Sequence, residues 1–195
     1  LRKLEAQGLL KRNRVTARRE VAYSITPAGV AATVEYGRAL YDNLTKYIRF
    51  QMTALVAFIA AFLGAAFFAI ANGIPFTPFV ILWINFLVQV PIAVALGFDK
   101  PSPGLMERKP RPLAQPVLSR SQWLRIIFIG LLMAFGTLFL QASYTPGGVA
   151  LAATMAFVAF SLFNIVIGLS CRSETESTFD RDTLGDRRQL QLYGL

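Results

Sequence analysis

The stretch MTALVAFIAAFLGAAFFAIANGIPFTPFVILWINFLVQVPIAVALGF, residues 52–98, contains no Asp, Glu, Lys or Arg. A second charge-free run covers residues 126–171. A helix that spans a bilayer needs about 20 predominantly apolar residues, so each run is long enough for two spans. Breaker-rich sequences divide the runs, NGIPFTP at 72–78 and SYTPGG at 143–148. Four transmembrane helices are therefore predicted as two hairpins, at residues 52–71, 79–98, 123–142 and 149–171.

The alternative to a membrane protein is a soluble protein with a buried helical core. The hydrophobic content of 54% is high for a soluble domain. Core helices of soluble proteins also carry a polar face with a 3.6-residue period, which these segments lack. The sequence thus favours an all-α polytopic membrane protein. We interpret Gly64, Gly130, Gly136 and Gly168 as positions of close helix packing.

The charged residues indicate the orientation in the membrane. Lys and Arg are concentrated in the N-terminal region, the central loop and the C-terminal tail, and the two short turns carry none. The positive-inside rule then predicts that both termini and the central loop lie in the cytoplasm. We expect the membrane to be the cell's inner membrane. The net charge of +9 follows from this topology, with attraction to lipid headgroups as a secondary effect. It does not by itself predict a nucleic-acid partner.

Composition excludes several kinds of chemistry within this chain. It has no His and a single Cys, Cys171, which rules out a His-dependent triad, a Cys/His zinc site and an internal disulfide. There is no G-x-x-x-x-G-K phosphate loop. No cofactor or catalytic residue is predicted for this chain. Because it begins with Leu rather than Met, we interpret it as part of a longer protein.

Two amides interrupt the apolar stretch ILWINFLVQVP at residues 81–91. Asn85 and Gln89 are four residues apart, which predicts that they project from the same helix face. Pro91 predicts a helix break or a tolerated kink. Such amides either form interhelical hydrogen bonds, worth about 0.6 to 2 kcal/mol each, or line a polar path.

From residue 34 onward, four stretches resemble the C-terminal membrane half of a cation-transporting P-type ATPase. VEYGRALYDNLTKYIRFQ (34–51) is similar to the stalk that becomes the family's fifth transmembrane helix. The segment from PFTPFVILW to KPRP (75–112) is similar to the sixth helix and the following loop with its LMxRxPR signature. PVLSRSQWLRIIFIGLL (116–132) resembles the seventh helix, and TMAFVAF to ESTF (154–179) resembles the eighth.

The resemblance implies a domain organisation and a missing catalytic apparatus. The family's phosphorylated D-K-T-G-T motif, its GDGxND loop and the domains that bind Mg and ATP do not occur in this chain. We therefore do not expect this chain alone to hydrolyse ATP. The implied divisions are a stalk helix at 34–51, a hairpin of helices five and six at 52–98, a basic Pro-rich cytoplasmic loop at 99–122, a hairpin of helices seven and eight at 123–171, and a cytoplasmic tail at 172–195.

The same resemblance assigns a cation path to Asn85, Gln89 and Asn164, next to a locally unwound segment that Pro91 ends. In the family, the fifth, sixth and eighth helices supply oxygen ligands to the ion. Gln89 occupies a position that is Asp in a typical member. Leu55 and Phe58 occupy positions that are Asn and Glu in many members, and Val88 a position that is Thr in a calcium pump.

These departures leave three amides and no carboxylate in the implied path. An amide oxygen can coordinate a cation but cannot neutralise it, and an uncompensated buried ion is costly. This argues against a carboxylate-rich divalent calcium site. A monovalent or proton-coupled site, a site shared with missing helices, and a degenerate site remain open.

Residues 1–33 do not fit this family. LRKLEAQG predicts a short helix ended at Gly8, LLKRNR and REVAYSIT predict two strands around a basic turn, and TPAG opens a helix with Thr26 as N-cap. This pattern resembles the wing and flanking helices of a winged-helix regulator of the PadR or MarR type. Because the first helices of that fold are missing, a cytoplasmic stalk extension is favoured over DNA binding. The residues implied in contact with DNA or headgroups are Lys11, Arg12, Arg14, Arg18 and Arg19.

Three functions are therefore considered from the sequence. The first is the membrane-spanning C-terminal domain of a cation-transporting P-type ATPase, which contributes the ion-translocation path without the ATP-hydrolysing domains. The second is a membrane-tethered winged-helix DNA-binding regulator. The third is a non-catalytic membrane subunit that assembles with a chain supplying the missing helices.

Overall fold

The computed structural model describes residues 2–14, 21–99, 104–107 and 116–172. It divides into two compact units: the N-terminal unit, Leu1–Asp42 with Lys100–Arg111, and the membrane unit, Asn43–Asp99 with Pro112–Leu195. The helices and strands along the chain are α1 Arg2–Ala6, β1 Leu10–Arg14, β2 Val21–Ile25, α2 Pro27–Phe67, α3 Pro78–Trp83, α4 Val90–Gly97, α5 Arg120–Tyr144 and α6 Val149–Ser170.

Four helical segments are long and apolar enough to cross a membrane: Pro27–Phe67, Pro78–Gly97, Arg120–Gly147 and Val149–Ser170. The prediction of a polytopic, nearly all-helical membrane protein is confirmed. The largest difference from the predicted bounds concerns the first span. The stalk at 34–51 and the first span are parts of one 41-residue helix, α2, which also contains the helix predicted to begin at Pro27.

Residues in the left-handed region form the turn of the first hairpin. Ala69, Ala71 and Asn72 have φ values of 53°, 52° and 55°, around a 3-10 turn at Ile70–Gly73. Because L residues rarely adopt this conformation in succession, it ends α2 and reverses the chain. The following helix α3 begins with Pro at its first turn, where a missing N–H has no cost.

The helix of the second span is interrupted in its middle. Between α3 and α4, residues Ile84–Gln89 form a π-helix, in which the N–H of Val90 donates to the carbonyl of Asn85. We call the whole segment Pro78–Gly97 the interrupted helix. Pro91 has no N–H and its ring would clash with the carbonyl of Leu87 in a regular helix, so a wider turn before it relieves the strain. The predicted break at Pro91 is thus a π segment two residues earlier, and the helix continues through Pro91 to Gly97.

The second hairpin starts with a strong helix cap. Ser119 precedes α5 and its side chain accepts a hydrogen bond from the N–H of Gln122, whose side chain accepts from the N–H of Ser119. This reciprocal capping box satisfies two otherwise unpaired donors. A 3-10 turn at Thr145–Gly147 then connects α5 to α6.

The core of the membrane unit combines small residues with aromatic rings. Ala57, Ala61 and Ala156 are fully buried, together with Phe50 and Phe160. Helix α5 approaches α2 closely at Gly130, where an added Cβ would lie 2.7 Å from Cγ1 of Val56. Such small-residue contacts are the usual means by which helices associate in membranes.

The N-terminal unit contains the predicted short helix, hairpin and capped helix. Strands β1 and β2 are antiparallel, with Leu10 opposite Ile25 and Arg14 opposite Val21. The hydroxyl of Thr26 accepts from the N–H of Gly29 at 3.0 Å, as an N-cap does. These local elements agree with the sequence expectation, but a hairpin and a helix occur in many folds. In the same unit, Nη1 of Arg38 donates to the carbonyls of Leu105 and Met106 at 2.9 and 3.2 Å.

Candidate functional site: a buried amide pair at a π segment

Two of the three predicted path residues meet in the membrane unit. Gln89 is the last residue of the π segment and is 4% exposed, and Asn164 on α6 is fully buried. Nε2 of Gln89 donates to Oδ1 of Asn164 at 3.2 Å. Nδ2 of Asn164 donates in turn to the carbonyl of Phe160 at 2.8 Å. The interrupted helix and α6 are therefore joined by a polar contact inside an apolar environment.

The chemistry of this pair is that of two neutral oxygen ligands. Oδ1 of Asn164 accepts a hydrogen bond from Gln89, and an amide oxygen has two lone-pair directions. A cation at Asn164 would thus either use the second lone pair or displace the Gln89 donor. Neither amide supplies charge, so the pair fits a weakly held or partly hydrated ion better than a bare divalent one.

Asn85 does not join this pair. It is exposed, and its Nδ2 donates to the carbonyl of Ile81 in its own helix at 2.9 Å. The prediction that Asn85 and Gln89 project side by side is therefore wrong. Both residues belong to the π segment, where the hydrogen-bonded residues are five apart rather than four, so the α-helical spacing rule does not apply.

Apolar side chains fill the positions on α2 that the resemblance associates with ion ligands. The ring centroid of Phe58 lies 4.5 Å from that of Phe160 and 6.0 Å from that of Phe76. Leu55 is half exposed. Across residues 2–14, 21–99, 104–107 and 116–172, no cluster of three His, Cys, Asp or Glu side chains could hold a metal ion.

A buried carboxylate that sequence reasoning missed lies at the end of α4. Among the described residues, Asp99 is the one charged residue that is buried. Its two oxygens lie 2.7 Å from Nζ of Lys46 and 3.2 Å from Nη2 of Arg172. A sequence signal existed, because Asp99 is the first charge after a long charge-free run. Nothing in the sequence indicated which cations it would meet.

A second missed polar cluster connects α5 to the turn of the first hairpin. Nε2 of Gln141 donates to the carbonyl of Pro75 at 3.0 Å, and Gln141 is 2% exposed. One turn away, Thr137 is fully buried. Among the residues that the structure covers, Oε1 of Gln141 and Oγ1 of Thr137 have no hydrogen-bond partner. The contact to Pro75 anchors the turn, and the two oxygens are left desolvated.

The structure covers the predicted basic patch only in part. Lys11 on β1 is exposed. Arg12 and Arg14 lie on the same strand, in register with Tyr23 and Val21. The other two arginines, Arg18 and Arg19, lie outside the described residues.

Paired membrane hairpins, an interrupted helix and a buried amide pair are features of an ion-transport domain, and comparison with known proteins agrees. The family model described as "Cation transporting ATPase, C-terminus" matches residues 73–192. The chain belongs to this family, as the motifs at 34–51, 75–112, 116–132 and 154–179 implied.

Individual relatives give the same result. The chain is 32% identical to a calcium-transporting ATPase of Bacillus subtilis (strain 168), over 86% of this chain and 18% of the relative. It is 28% identical to calcium-transporting ATPase 1 of Yarrowia lipolytica and 28% identical to calcium-transporting ATPase type 2C member 2 of Rattus norvegicus, with the same two coverages. The chain therefore spans about a fifth of the length of these relatives.

Proposed function

We propose that this chain contributes the ion-translocation path of a cation pump as its membrane-spanning C-terminal domain. A longer form of the protein, or a separate chain, would supply the domains that bind ATP and Mg. The observation that carries the proposal is the buried Gln89–Asn164 pair, because polar groups inside a membrane domain are costly and concentrate along substrate paths.

A monovalent cation is the transported ion that the ligand set favours. The path in this chain offers amide oxygens, and the nearby α2 position holds the ring of Phe58 rather than a carboxylate. The relatives carry names that specify calcium transport. A calcium path through this chain would need carboxylates from helices outside it, since neutral oxygens alone do not offset the desolvation of a divalent ion.

The test combines the chain with a polypeptide that supplies the missing helices and catalytic domains. Gln89→Leu together with Asn164→Leu is expected to abolish cation-dependent transport and ATP hydrolysis, because both amides of the buried pair are lost. Ser143→Ala, in the exposed last turn of α5, is the control and should leave activity unchanged. Undiminished transport in the double variant would refute the proposed path.

A second substitution tests the ion preference. Gln89→Asp introduces a carboxylate beside Asn164 and should shift stimulation of ATP hydrolysis towards Ca²⁺ by about tenfold or more in concentration, since a carboxylate supplies the charge that an amide lacks. Gln89→Asn is the control, because it shortens the side chain equally without adding charge. Equal Ca²⁺ responses of the two variants would contradict the assignment of Gln89.

We further propose that both termini lie in the cytoplasm and that the membrane is the cell's inner membrane. Support comes from the uncharged turns at Ile70–Gly73 and Thr145–Gly147, in contrast with the basic termini. In a Cys171→Ser background, Ser24→Cys should be protected from a membrane-impermeant maleimide in intact cells, whereas Ser143→Cys should be labelled. The reverse pattern would invert the topology.

The N-terminal hairpin supports a further proposal, that residues 1–33 are a partial winged-helix-like segment which extends the stalk. A membrane-tethered DNA-binding regulator and a non-catalytic subunit are the alternatives. DNA binding by the full chain in nanodiscs, measured by fluorescence anisotropy at several salt concentrations, separates the regulator from the other two. We expect no DNA binding that depends on Lys11 and Arg12, so the double variant Lys11→Gln with Arg12→Gln should behave like the parent chain. A wing contacts phosphates and needs a complete winged-helix fold to position it. Strong, salt-dependent binding lost in this variant would favour the regulator.

A further inference from the structure

An ion cluster in the membrane unit joins the ends of α4 and α6 to the middle of α2. Asp99 follows α4 and its side chain is only 6% exposed. Oδ2 lies 2.7 Å from Nζ of Lys46 on α2, and Oδ1 lies 3.2 Å from Nη2 of Arg172, just beyond α6. The two cationic side chains are also largely buried, at 12% and 10% exposure. One carboxylate therefore contacts two other helices at once.

The backbone around Asp99 is held as well. Nδ2 of Asn43, one turn before Lys46 on α2, donates to the carbonyl of Asp99 at 2.8 Å and to the carbonyl of Gly97 at 3.2 Å. The end of α4 is thus fixed through its main chain and its side chain. Because both carboxylate oxygens already have cationic partners, Asp99 is not available as a ligand for a transported ion.

The same two helices that Asp99 and Arg172 join are also joined by the amide pair. Asp99 lies ten residues after Gln89, and Arg172 lies eight residues after Asn164. With a rise of about 1.5 Å per residue, the two contacts are roughly 12 to 15 Å apart along the helices. Two contacts at different heights hold the rotation and the position of the interrupted helix against α6 more tightly than either contact alone.

Buried ion pairs rarely add much net stability, since desolvation offsets their attraction, and their best-attested use is to specify register. The rotation of α4 about its axis is not set by regular helix geometry, because the π segment lies immediately before it. If this segment relaxed into a regular helix, α4 would have a different rotation. The contacts of Asp99, directly after α4, oppose this change of rotation.

We propose that Asp99 is a positioning residue for the cation path. Its carboxylate, held between Lys46 and Arg172, sets the rotation of α4 and thereby keeps Gln89 directed at Asn164. The role in transport rests on the proposed function of the amide pair, whereas the role in helix register does not.

The experiment measures register directly in the full chain, reconstituted in lipid nanodiscs. In a Cys171→Ser background, Gln89→Cys and Asn164→Cys introduce two thiols, and the rate of their cross-linking by dibromobimane is followed by fluorescence. The amide hydrogen bond is then absent, so the effect of Asp99 on the register is measured without it. Asp99→Asn should slow cross-linking severalfold, Asp99→Glu should restore most of the rate, and Glu107→Gln, an exposed carboxylate, should change nothing.

Equal cross-linking rates for Asp99→Asn and the parent would overturn the proposal. If Asp99→Asn is not recovered folded, Lys46→Gln and Arg172→Gln decide the matter, because each leaves one of the two ion pairs intact and should slow cross-linking partially. Rates unchanged in both would overturn it equally.

Transport by the assembled pump separates this inference from the proposed function. With native Gln89 and Asn164, Asp99→Asn should raise the cation concentration needed for half-maximal ATP hydrolysis, and Asp99→Glu should largely reverse the effect. A register change without any effect on transport would leave Asp99 as a positioning residue for the helices and remove the amide pair from the ion path.

Discussion

The amide groups of Gln89 and Asn164 are linked by a hydrogen bond of 3.2 Å between two buried side chains on different membrane helices. Asn164 uses both ends of its amide, since it also donates to the carbonyl of Phe160. The hydrogen bond is internal to this chain, so its contribution to stability can be measured separately from any transport.

A double-mutant cycle should detect this unit. Gln89→Leu and Asn164→Leu are each expected to destabilise the chain, because each leaves the partner amide buried without its hydrogen bond. The double variant should lose less than the sum, with a coupling energy of about 0.6 to 2 kcal/mol. Reversible unfolding by SDS in bicelles provides the measurement. Gln89→Leu combined with the distant Ser143→Ala should be additive, and additivity in the main cycle would mean that the hydrogen bond does not form.

Close packing at Gly130 predicts a second stability effect. A Cβ at this position would lie 2.7 Å from Cγ1 of Val56 and 3.1 Å from the carbonyl oxygen of Thr53, so Gly130→Ala must push α5 away from α2. We expect a loss of about 1 to 3 kcal/mol in the same unfolding assay. Gly37→Ala in α2 is the control, because nothing lies within 4 Å of its Cβ position and Ala favours a helix. A neutral Gly130→Ala would show that the helices are not in contact there.

Thr137 should behave differently from other threonines. Its hydroxyl is fully buried, and within the described part of the chain it has no partner, so Thr137→Val removes an uncompensated polar group. The expected result is an increase in stability of about 1 kcal/mol. Thr154→Val is the matched control, because that hydroxyl donates to the carbonyl of Ala150 and its loss should be slightly destabilising. The prediction fails if the two substitutions change the free energy of unfolding in the same direction.

Pro91 allows a test of the link between helix irregularity and transport. Pro91→Ala restores an N–H opposite the carbonyl of Leu87, so the π segment can relax into a regular helix and the isolated chain should gain about 1 to 3 kcal/mol. Cation-dependent ATP hydrolysis by the assembled pump should fall, because the same relaxation rotates Gln89. Pro78→Ala, at the first turn of α3, should alter neither property appreciably. A stabilised and fully active Pro91→Ala would separate the π segment from function.

The hairpins were predictable because each depends on a local property. Charge-free runs of sufficient length, divided by turns such as NGIPFTP, require few tertiary contacts to be recognised. The close contact at Gly130 was also inferred correctly, since small residues in membrane helices have few other uses. The N-cap at Thr26 follows from its own sequence in the same way.

The separation of Asn85 from Gln89 could not be derived from spacing. The rule of four assumes an α-helix, whereas the clash between Pro91 and the preceding turn selects a π-helix, and that choice also depends on packing around it. The contacts of Asp99 with Lys46 and Arg172 were inaccessible for another reason. They join residues 53 and 73 positions apart, and no pattern in one sequence specifies such pairs.

The π segment Ile84–Gln89 also changes the rotation of the second half of the interrupted helix relative to the first half. Deleting one residue within it would allow a continuous α-helix and would turn everything beyond by about 100°. The two halves of the helix therefore face different neighbours. Gln89, at the end of the π segment, is directed to α6 of this chain. Asn85, near the beginning of the segment, lies on the outer surface, where an additional membrane helix could reach it.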